Sequence, residues 1–205
     1  WAEKNKVNRV SGHNQGMLAM KEIIKRADVM GIKYLTVYAF STENWKRSQE
    51  EVGGIFKLLV KFVASELAEL DERNDYHDRV PESAINSIEN ALETTSNNTG
   101  LQFNIALNYG SRAEIVRAVN KLKSLEESIT EDDISRMLYT GEENGFIPDP
   151  DLIIRTSGEE RLSNFLLWQC AYAEFVYMDT LWPDFTPALL DEAIEEFNRR
   201  SRRFG

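Results

Sequence analysis

Arg155 and Arg161 stand six positions apart, and a hydroxyl, Ser163, follows two positions after the second. Planar guanidinium forks beside a hydroxyl offer several donors at fixed angles, which is what an anion with many acceptor oxygens, such as a diphosphate, requires. Leu166-Leu167-Trp168 follows as an apolar wall, and Glu174 heads the apolar run Phe175-Val176-Tyr177. A lone carboxylate near a cationic loop suits a phosphorylated ligand held partly through a divalent metal. Taken singly, each arginine is more often an ordinary surface ion-pair partner. The convergence of residue types within one short stretch favours a site. A second polar cluster, Ser41-Thr42-Glu43-Asn44-Trp45-Lys46-Arg47, ends the dense apolar segment from Ile32 to Phe40.

The elements that must present these clusters alternate between helix and strand. Met17, Met20, Ile24 and Ala27 recur at helical spacing after Gly12-His13, and Gly31 supplies a stop. Ile32–Phe40 is predicted as a buried strand. A long helix is predicted over about Glu50–Arg73, with Gly53-Gly54 marking a bend or a close contact. Further helices are predicted over Glu82–Asn97, Arg112–Leu122 and from Pro187, the last capped by Thr186. Leu101, Phe103, Ile105 and Leu107 alternate with smaller or polar residues as a strand does, and Leu152-Ile153-Ile154 is a short apolar strand before Arg155. The acidic segment Glu126–Leu138 is predicted to be a solvated helix without chemistry. Alternating elements of this kind argue for an α/β fold: one domain over residues 1–205 with a mostly parallel central sheet flanked by helices. In such sheets ligands bind at the carboxyl ends of strands, where both polar clusters fall.

Composition narrows the function. The chain has 205 residues and a formal net charge of −10, so it lacks the broad basic face of a nucleic-acid binder. An anion site here must be a local basic pocket. Cys170 is the only cysteine, which excludes an intramolecular disulfide and fits a reducing compartment. Ile55–Val60 ends at Lys61, too short to span a membrane. The sequence contains no Walker phosphate loop, no G-x-G-x-x-G fingerprint and no H-E-x-x-H zinc helix, and His13 and His77 are too far apart in sequence to suggest a zinc site. From residues alone the expectation is a magnesium-assisted enzyme acting on a phosphate or diphosphate ester beside an apolar chamber. A phosphatase or phosphosugar enzyme, with a small polar pocket, is the rival reading.

Several strings resemble the cis-prenyltransferases, and most closely the bacterial undecaprenyl diphosphate synthases: Tyr38-Ala39-Phe40-Ser41-Thr42-Glu43-Asn44-Trp45, Asn108-Tyr109-Gly110-Ser111-Arg112, Arg155 to Trp168 continuing through Ala173-Glu174, Leu181-Trp182-Pro183-Asp184-Phe185, and Arg202-Arg203-Phe204-Gly205. The resemblance covers essentially the whole chain. It implies condensation of isopentenyl diphosphate onto an allylic diphosphate such as farnesyl diphosphate, with new double bonds in cis, and a polyprenyl product such as undecaprenyl diphosphate. It also implies dependence on Mg²⁺, a homodimer, a six-stranded mostly parallel sheet, an elongated hydrophobic tunnel, and a cytoplasmic enzyme that is at most peripheral to the membrane. A non-catalytic partner subunit, known among eukaryotic relatives, would show eroded motifs, whereas here they are intact.

Carried over residue by residue, Trp1, Arg9 and His13 resemble the groups around the allylic diphosphate. Ser41, Thr42, Glu43, Trp45 and Arg47 resemble substrate contacts, and Asn44 the residue that helps remove the proton. Arg155, Arg161, Leu162 and Ser163 resemble the isopentenyl diphosphate site, Glu174 a magnesium ligand, and Arg203-Phe204-Gly205 a tail that reaches a neighbouring subunit. The family places a strand and D-G-N-G-R ahead of the tryptophan that is Trp1 here, so its central acid precedes this chain and Trp1 is not expected to be a natural start. The family also has a second glycine where Ser111 stands, and an apolar strand between Asn74 and Asp75, where about 5–6 residues are expected to be missing.

Overall fold

The computed structural model describes residues 1–66, 69–70, 81–123, 128–142 and 145–200. Helix α1 spans Arg9–Val29, beginning before the Gly12-His13 pair because the Asn8 side chain accepts from Ser11 N and satisfies one of the free first-turn amides. It ends where Gly31 takes a left-handed φ of 74°. Strand β1, Tyr34–Tyr38, leads through a 3-10 turn at Thr42–Lys46 into α2, Gln49–Glu66. Then come β2 (Glu69–Leu70), α3 (Glu82–Thr95), β3 (Gln102–Ala106), α4 (Ser111–Leu122) and α5 (Glu131–Met137). The parallel pair β4 (Leu152–Arg155) and β5 (Glu174–Tyr177), a 3-10 turn at Trp182–Asp184 and α6 (Pro187–Arg199) complete the order. Thr186 Oγ1 caps α6 at Leu189 N, as its position before proline predicts.

Every described strand pair is parallel. β3 lies between β1 and β2, and β4 pairs with β5 in a separate two-stranded sheet, so the described residues contribute five strands in two sheets. The long helix stops earlier than its apolar pattern predicts. Its last residue is Glu66, and Glu69–Leu70 then pairs with Gln102–Phe103 of β3, supplying a strand that a helix to Arg73 would leave out. An apolar run cannot by itself distinguish a buried helix end from a buried strand. The break expected between Asn74 and Asp75 lies outside the described residues, as does the Arg203-Phe204-Gly205 tail.

Two apolar clusters hold these layers together. Met20 of α1, Ile55, Phe56, Leu59 and Val63 of α2, Ile88 of α3 and Phe103 and Ile105 of β3 form the larger one. Ile23 and Ala27, from the same face of α1, pack with Phe185 and Leu190 in the smaller. Side chains three and four apart share a helix face, so α1 can serve both clusters. Gly54 marks a close contact within an unbroken helix, because a Cβ there would meet Val10 Cγ2 at 3.2 Å. That approach of α2 to the start of α1 matters below. Helix α5 is not merely solvated: Ser135 accepts from Trp168 Nε1 at 2.9 Å, and Leu138 beyond the helix end is buried.

Candidate active site

The carboxyl ends of β1, β3 and β4 converge, as expected for an open parallel sheet. After β1, Ser41 N donates to Asn44 Oδ1 at 2.8 Å and closes a capping box. A backbone N–H can only donate, so this bond fixes the amide orientation and leaves Nδ2 as the donor face of Asn44. After β3, Asn108 adopts a left-handed φ of 49° and its side chain accepts from Trp45 Nε1 at 2.7 Å. After β4, the chain holds Ser157, Ser163, Asn164 and Leu166 at φ values of 74°, 51°, 63° and 45°. Conformations of this kind cost about 1–3 kcal/mol each outside glycine and persist only where surroundings enforce them.

Asn164 provides much of that enforcement. Its carbonyl accepts from Ser111 N at 2.8 Å, its Oδ1 accepts from Arg112 N at 2.9 Å, and its Nδ2 approaches Glu43 Oε1 at 3.4 Å. Phe165 stacks on Tyr38 with ring centres 4.6 Å apart. Gly110 permits the crossing, since a Cβ there would lie 2.8 Å from both Asn164 Nδ2 and Thr42 Oγ1. Ser111 does more than replace a glycine: it is fully buried, and its hydroxyl accepts from Leu167 N at 3.0 Å. Beneath the loop, Glu114 accepts from Tyr109 Oη at 2.5 Å, Tyr139 N at 2.8 Å and Gln169 Nε2 at 3.3 Å. Burial and the adjacent Glu114 push the Tyr109 phenol well above its ordinary range, and burial raises Tyr38 to about 12.

A cleft of about 1220 Å³ opens among α1, β1, β4 and the loop after β4. That exceeds the volume common for a single small ligand. Trp1, Arg9, His13, Asn44 and Arg47 line it, and so do Arg155, Arg161 and Leu162. Met17, Met20, Ile23, Leu35 and Val37 give it apolar walls. Its four arginines come from two places in the fold. Arg9 Nη1, His13 Nε2 and Arg47 Nη1 all meet the carboxylate of Glu51, at 3.1, 3.2 and 3.0 Å. Arg155 Nη2 reaches Ser163 Oγ at 3.5 Å, its Nε is buried with no hydrogen-bond partner among the described residues, and Arg161 pairs with Glu159. A buried guanidinium donor without a partner is costly unless a ligand or water meets it.

Not every expected contact lines this cleft. Ser41, Thr42, Glu43 and Ser163 lie beside it and shape its rim through the turn and loop bonds described above. Trp45 packs instead against Phe40 and Phe56, with ring centres 5.0 and 5.7 Å away, as a wedge into the core.

Glu174 departs furthest from expectation. Because β4 and β5 run parallel with Leu152 opposite Glu174 and Arg155 opposite Tyr177, Glu174 and Arg155 occupy opposite ends of the pair. Glu174 Oε2 accepts from Arg200 Nη1 at 2.9 Å, and the same nitrogen donates to Phe175 O, which ties the end of α6 to β5. Among the described residues no three histidine, cysteine or carboxylate side chains gather as a metal site. Glu174 is thus held in an ion pair with Arg200 at the end of the strand away from Arg155. Cys170 is buried as predicted, its thiol pushed up by burial, and it donates to Leu167 O.

Glu51, Asn164 and Glu114 were not singled out from the sequence. Glu51 follows an identical neighbour, Glu50, at the start of a helix, and Glu114 lies one turn into α4. Only spacing to the motifs could have flagged them: Glu51 is four residues after Arg47, and Asn164 follows Ser163 directly.

Comparison with known proteins agrees with this arrangement. A family model described as putative undecaprenyl diphosphate synthase matches residues 1–205. The isoprenyl transferase of Fusobacterium nucleatum is 48% identical over 212 aligned positions, covering 100% of this chain and 90% of that protein. That of Streptococcus thermophilus is also 48% identical, covering 100% of this chain and 88% of its own. Among solved structures, lavandulyl diphosphate synthase from Lavandula x intermedia, in complex with dimethylallyl diphosphate, superposes with a TM-score of 0.94 at 34% identity, covering 100% of this chain and 92% of that one. A probable undecaprenyl diphosphate synthase from Campylobacter jejuni gives 0.80 at 33% identity, covering 93% and 92%. Arginines brought from a helix, a turn and a strand-end loop to one cleft with apolar walls, and full-length similarity to isoprenyl transferases, lead to one conclusion: the chain belongs to the undecaprenyl diphosphate synthase family and is a prenyltransferase.

Proposed function

We propose that this enzyme elongates a prenyl chain in cis by condensing isopentenyl diphosphate with an allylic diphosphate such as farnesyl diphosphate, giving a polyprenyl diphosphate of the undecaprenyl type, a precursor of the lipid carrier for cell-wall synthesis. The observation that carries the proposal is one cleft lined by four arginines, Arg9, Arg47, Arg155 and Arg161, together with many apolar side chains, with Arg9 and Arg47 gathered on Glu51 and Arg155 and Arg161 carried by the end of β4 and the loop after it. One diphosphate needs one such pair; joining two diphosphates needs both. The lavandulyl diphosphate synthase structure, with an allylic diphosphate bound, supports the substrate class.

The chemistry follows from the residues. Arg9, His13 and Arg47 hold the allylic diphosphate, and their charge stabilises the electron pair it takes when its carbon–oxygen bond breaks. Arg155 and Arg161, with Ser163 supporting Arg155, hold isopentenyl diphosphate so that its double bond faces the allylic carbon. The π electrons form the new carbon–carbon bond, and a proton passes from the adjacent carbon to an oxygen of the departing diphosphate, which restores a double bond. Fixing both substrates in one geometry can contribute about 7–11 kcal/mol of barrier lowering. Met17, Met20, Ile23 and their neighbours exclude water from the allylic cation, and the growing chain extends into the elongated hydrophobic tunnel of the fold. Asn44 offers its amide N–H groups to a phosphate oxygen and orients the proton transfer. Magnesium, with Glu174 as its candidate ligand from this chain, would supply positive charge to offset the negative charge of the diphosphates. We assign the enzyme to the cytoplasm, as a homodimer, with product release at the membrane surface; among the described residues no helix is long and apolar enough to cross a membrane.

The test incubates full-length protein with Mg²⁺, farnesyl diphosphate and radiolabelled isopentenyl diphosphate, then sizes the extracted lipid. A ladder of products differing by single five-carbon units is expected, and it vanishes when magnesium is chelated. Release of inorganic phosphate without lipid product would overturn the proposal in favour of a phosphatase.

A further inference from the structure

Glu51 has no role in the reaction drawn so far, yet it is where Arg9, His13 and Arg47 meet in the cleft. Its two oxygens divide the work: Oε2 accepts from Arg9 Nη1, while Oε1 accepts from both His13 Nε2 and Arg47 Nη1. The residue is 8% exposed. Burial alone would raise its pKa, but the bonds from Arg9 and His13 and the charge of Arg47 outweigh that and hold it below the ordinary range.

The three partners come from separate parts of the fold. Arg9 and His13 lie on the first turns of α1, and Arg47 closes the 3-10 turn after β1. They meet only because α2 approaches the start of α1 at Gly54 and carries Glu51 beneath them. Arg9 is otherwise loosely held, its side chain 69% exposed, and Arg47 is 39% exposed. Without Glu51, two guanidinium groups and an imidazole would have to be ordered against their mutual repulsion, and a free arginine side chain loses substantial rotamer entropy when fixed.

We propose that Glu51 is a positioning residue for the allylic substrate. It gathers Arg9, His13 and Arg47 into one anion cradle before substrate arrives, so the diphosphate meets cations already in place. This rests on the prenyl transfer proposed above. Electrostatics alone predicts the opposite sign, since deleting a negative charge beside an anion site should strengthen binding. The exposure of Arg9 and the convergence of three donors on one side chain favour preorganisation.

The decisive experiment compares Glu51→Gln and Glu51→Asp with wild type, measuring KM for farnesyl diphosphate and for isopentenyl diphosphate separately. Gln offers one acceptor oxygen and an added donor to three donors. It should raise the allylic KM at least about tenfold, the equivalent of one charged hydrogen bond. The isopentenyl KM should stay within about twofold, because Arg155 and Arg161 do not touch Glu51. Asp, which keeps the charge, should recover part of the loss. In the Arg9→Gln background, Glu51→Gln should cost less than it does alone, as expected when one residue acts through the other. Equal rises in both KM values, or a lower allylic KM, overturn the proposal. If Glu51→Gln does not fold, the Asp variant and its KM ratio carry the test. An inactive wild-type enzyme would instead refute the prenyl transfer itself, which keeps the two failures distinct.

Discussion

Replacing Glu114 by alanine should destabilise the protein by about 3–6 kcal/mol. The side chain is 1% exposed, and its removal takes an acceptor from Tyr109 Oη, Tyr139 N and Gln169 Nε2. Each buried donor left without an acceptor costs about 1–3 kcal/mol, so Tyr109 and Tyr139 together give about 2–6 kcal/mol, and Gln169 adds a smaller amount. Gln169 loses least, since it also donates to Thr140 Oγ1 at 3.1 Å. Against a typical total of about 5–15 kcal/mol, the loss is large. Urea denaturation followed by tryptophan fluorescence reads it directly: with a slope of about 2–3 kcal/mol per molar, the midpoint should fall by about 1–3 M. Glu114→Gln is the control. It keeps an oxygen for Tyr139 N, and its amide can donate to a rotated Tyr109 hydroxyl, so it should cost about 1 kcal/mol. The network also underlies the loop of Asn164 and Ser163, so Glu114→Ala should weaken isopentenyl diphosphate binding more than allylic binding. A midpoint within about 0.3 M of wild type would refute the account, because it would mean that water or rearrangement satisfies all three donors at little cost.

Arg161→Ala should raise the isopentenyl KM at least about tenfold with unchanged circular dichroism, as one charged hydrogen bond predicts; unchanged kinetics would remove Arg161 from the site. Asn44→Asp keeps the Ser41 cap but turns the donor face towards the diphosphate into an acceptor, so its kcat should fall below that of Asn44→Ala. A faster Asp variant would show that Asn44 accepts the proton. The pKa of Glu51 is depressed on folding, so its stabilisation is present above its unfolded value of about 4.3 and lost as pH falls through the folded value. Stability of Glu51→Gln should therefore fall less than wild type on acidification below that point, as read by thermal melts. Sedimentation at micromolar concentration should show a dimer; a monomer there would exclude the homodimer.

The order of elements and both polar clusters were determined by local chemistry, which is why they are legible in the chain. Apolar spacing of 3.6 or 2 reports which face is buried, and Thr186-Pro187 and Gly31 end or begin helices through their own backbone limits. Arg155, Arg161 and Asn44 could be named because their motif sits where a strand ends. Other features depend on partners far away in sequence. Whether Glu69–Leu70 is helix or strand depends on β3, thirty-three positions on, because backbone groups of either form must find partners and only the sheet offers them here. Glu174 meets Arg200 only because the end of α6 returns to β5. Trp45 packs on Phe40 and Phe56 and donates to Asn108, and Phe56 and Asn108 come from other elements of the fold. Glu50 and Glu51 are chemically identical, and only the packing of α2 against α1 at Gly54 decides which one meets Arg9, His13 and Arg47. A residue's type fixes the bonds it can make, but the distance to a partner is set by packing, and electrostatic and hydrogen-bond energies turn on that distance.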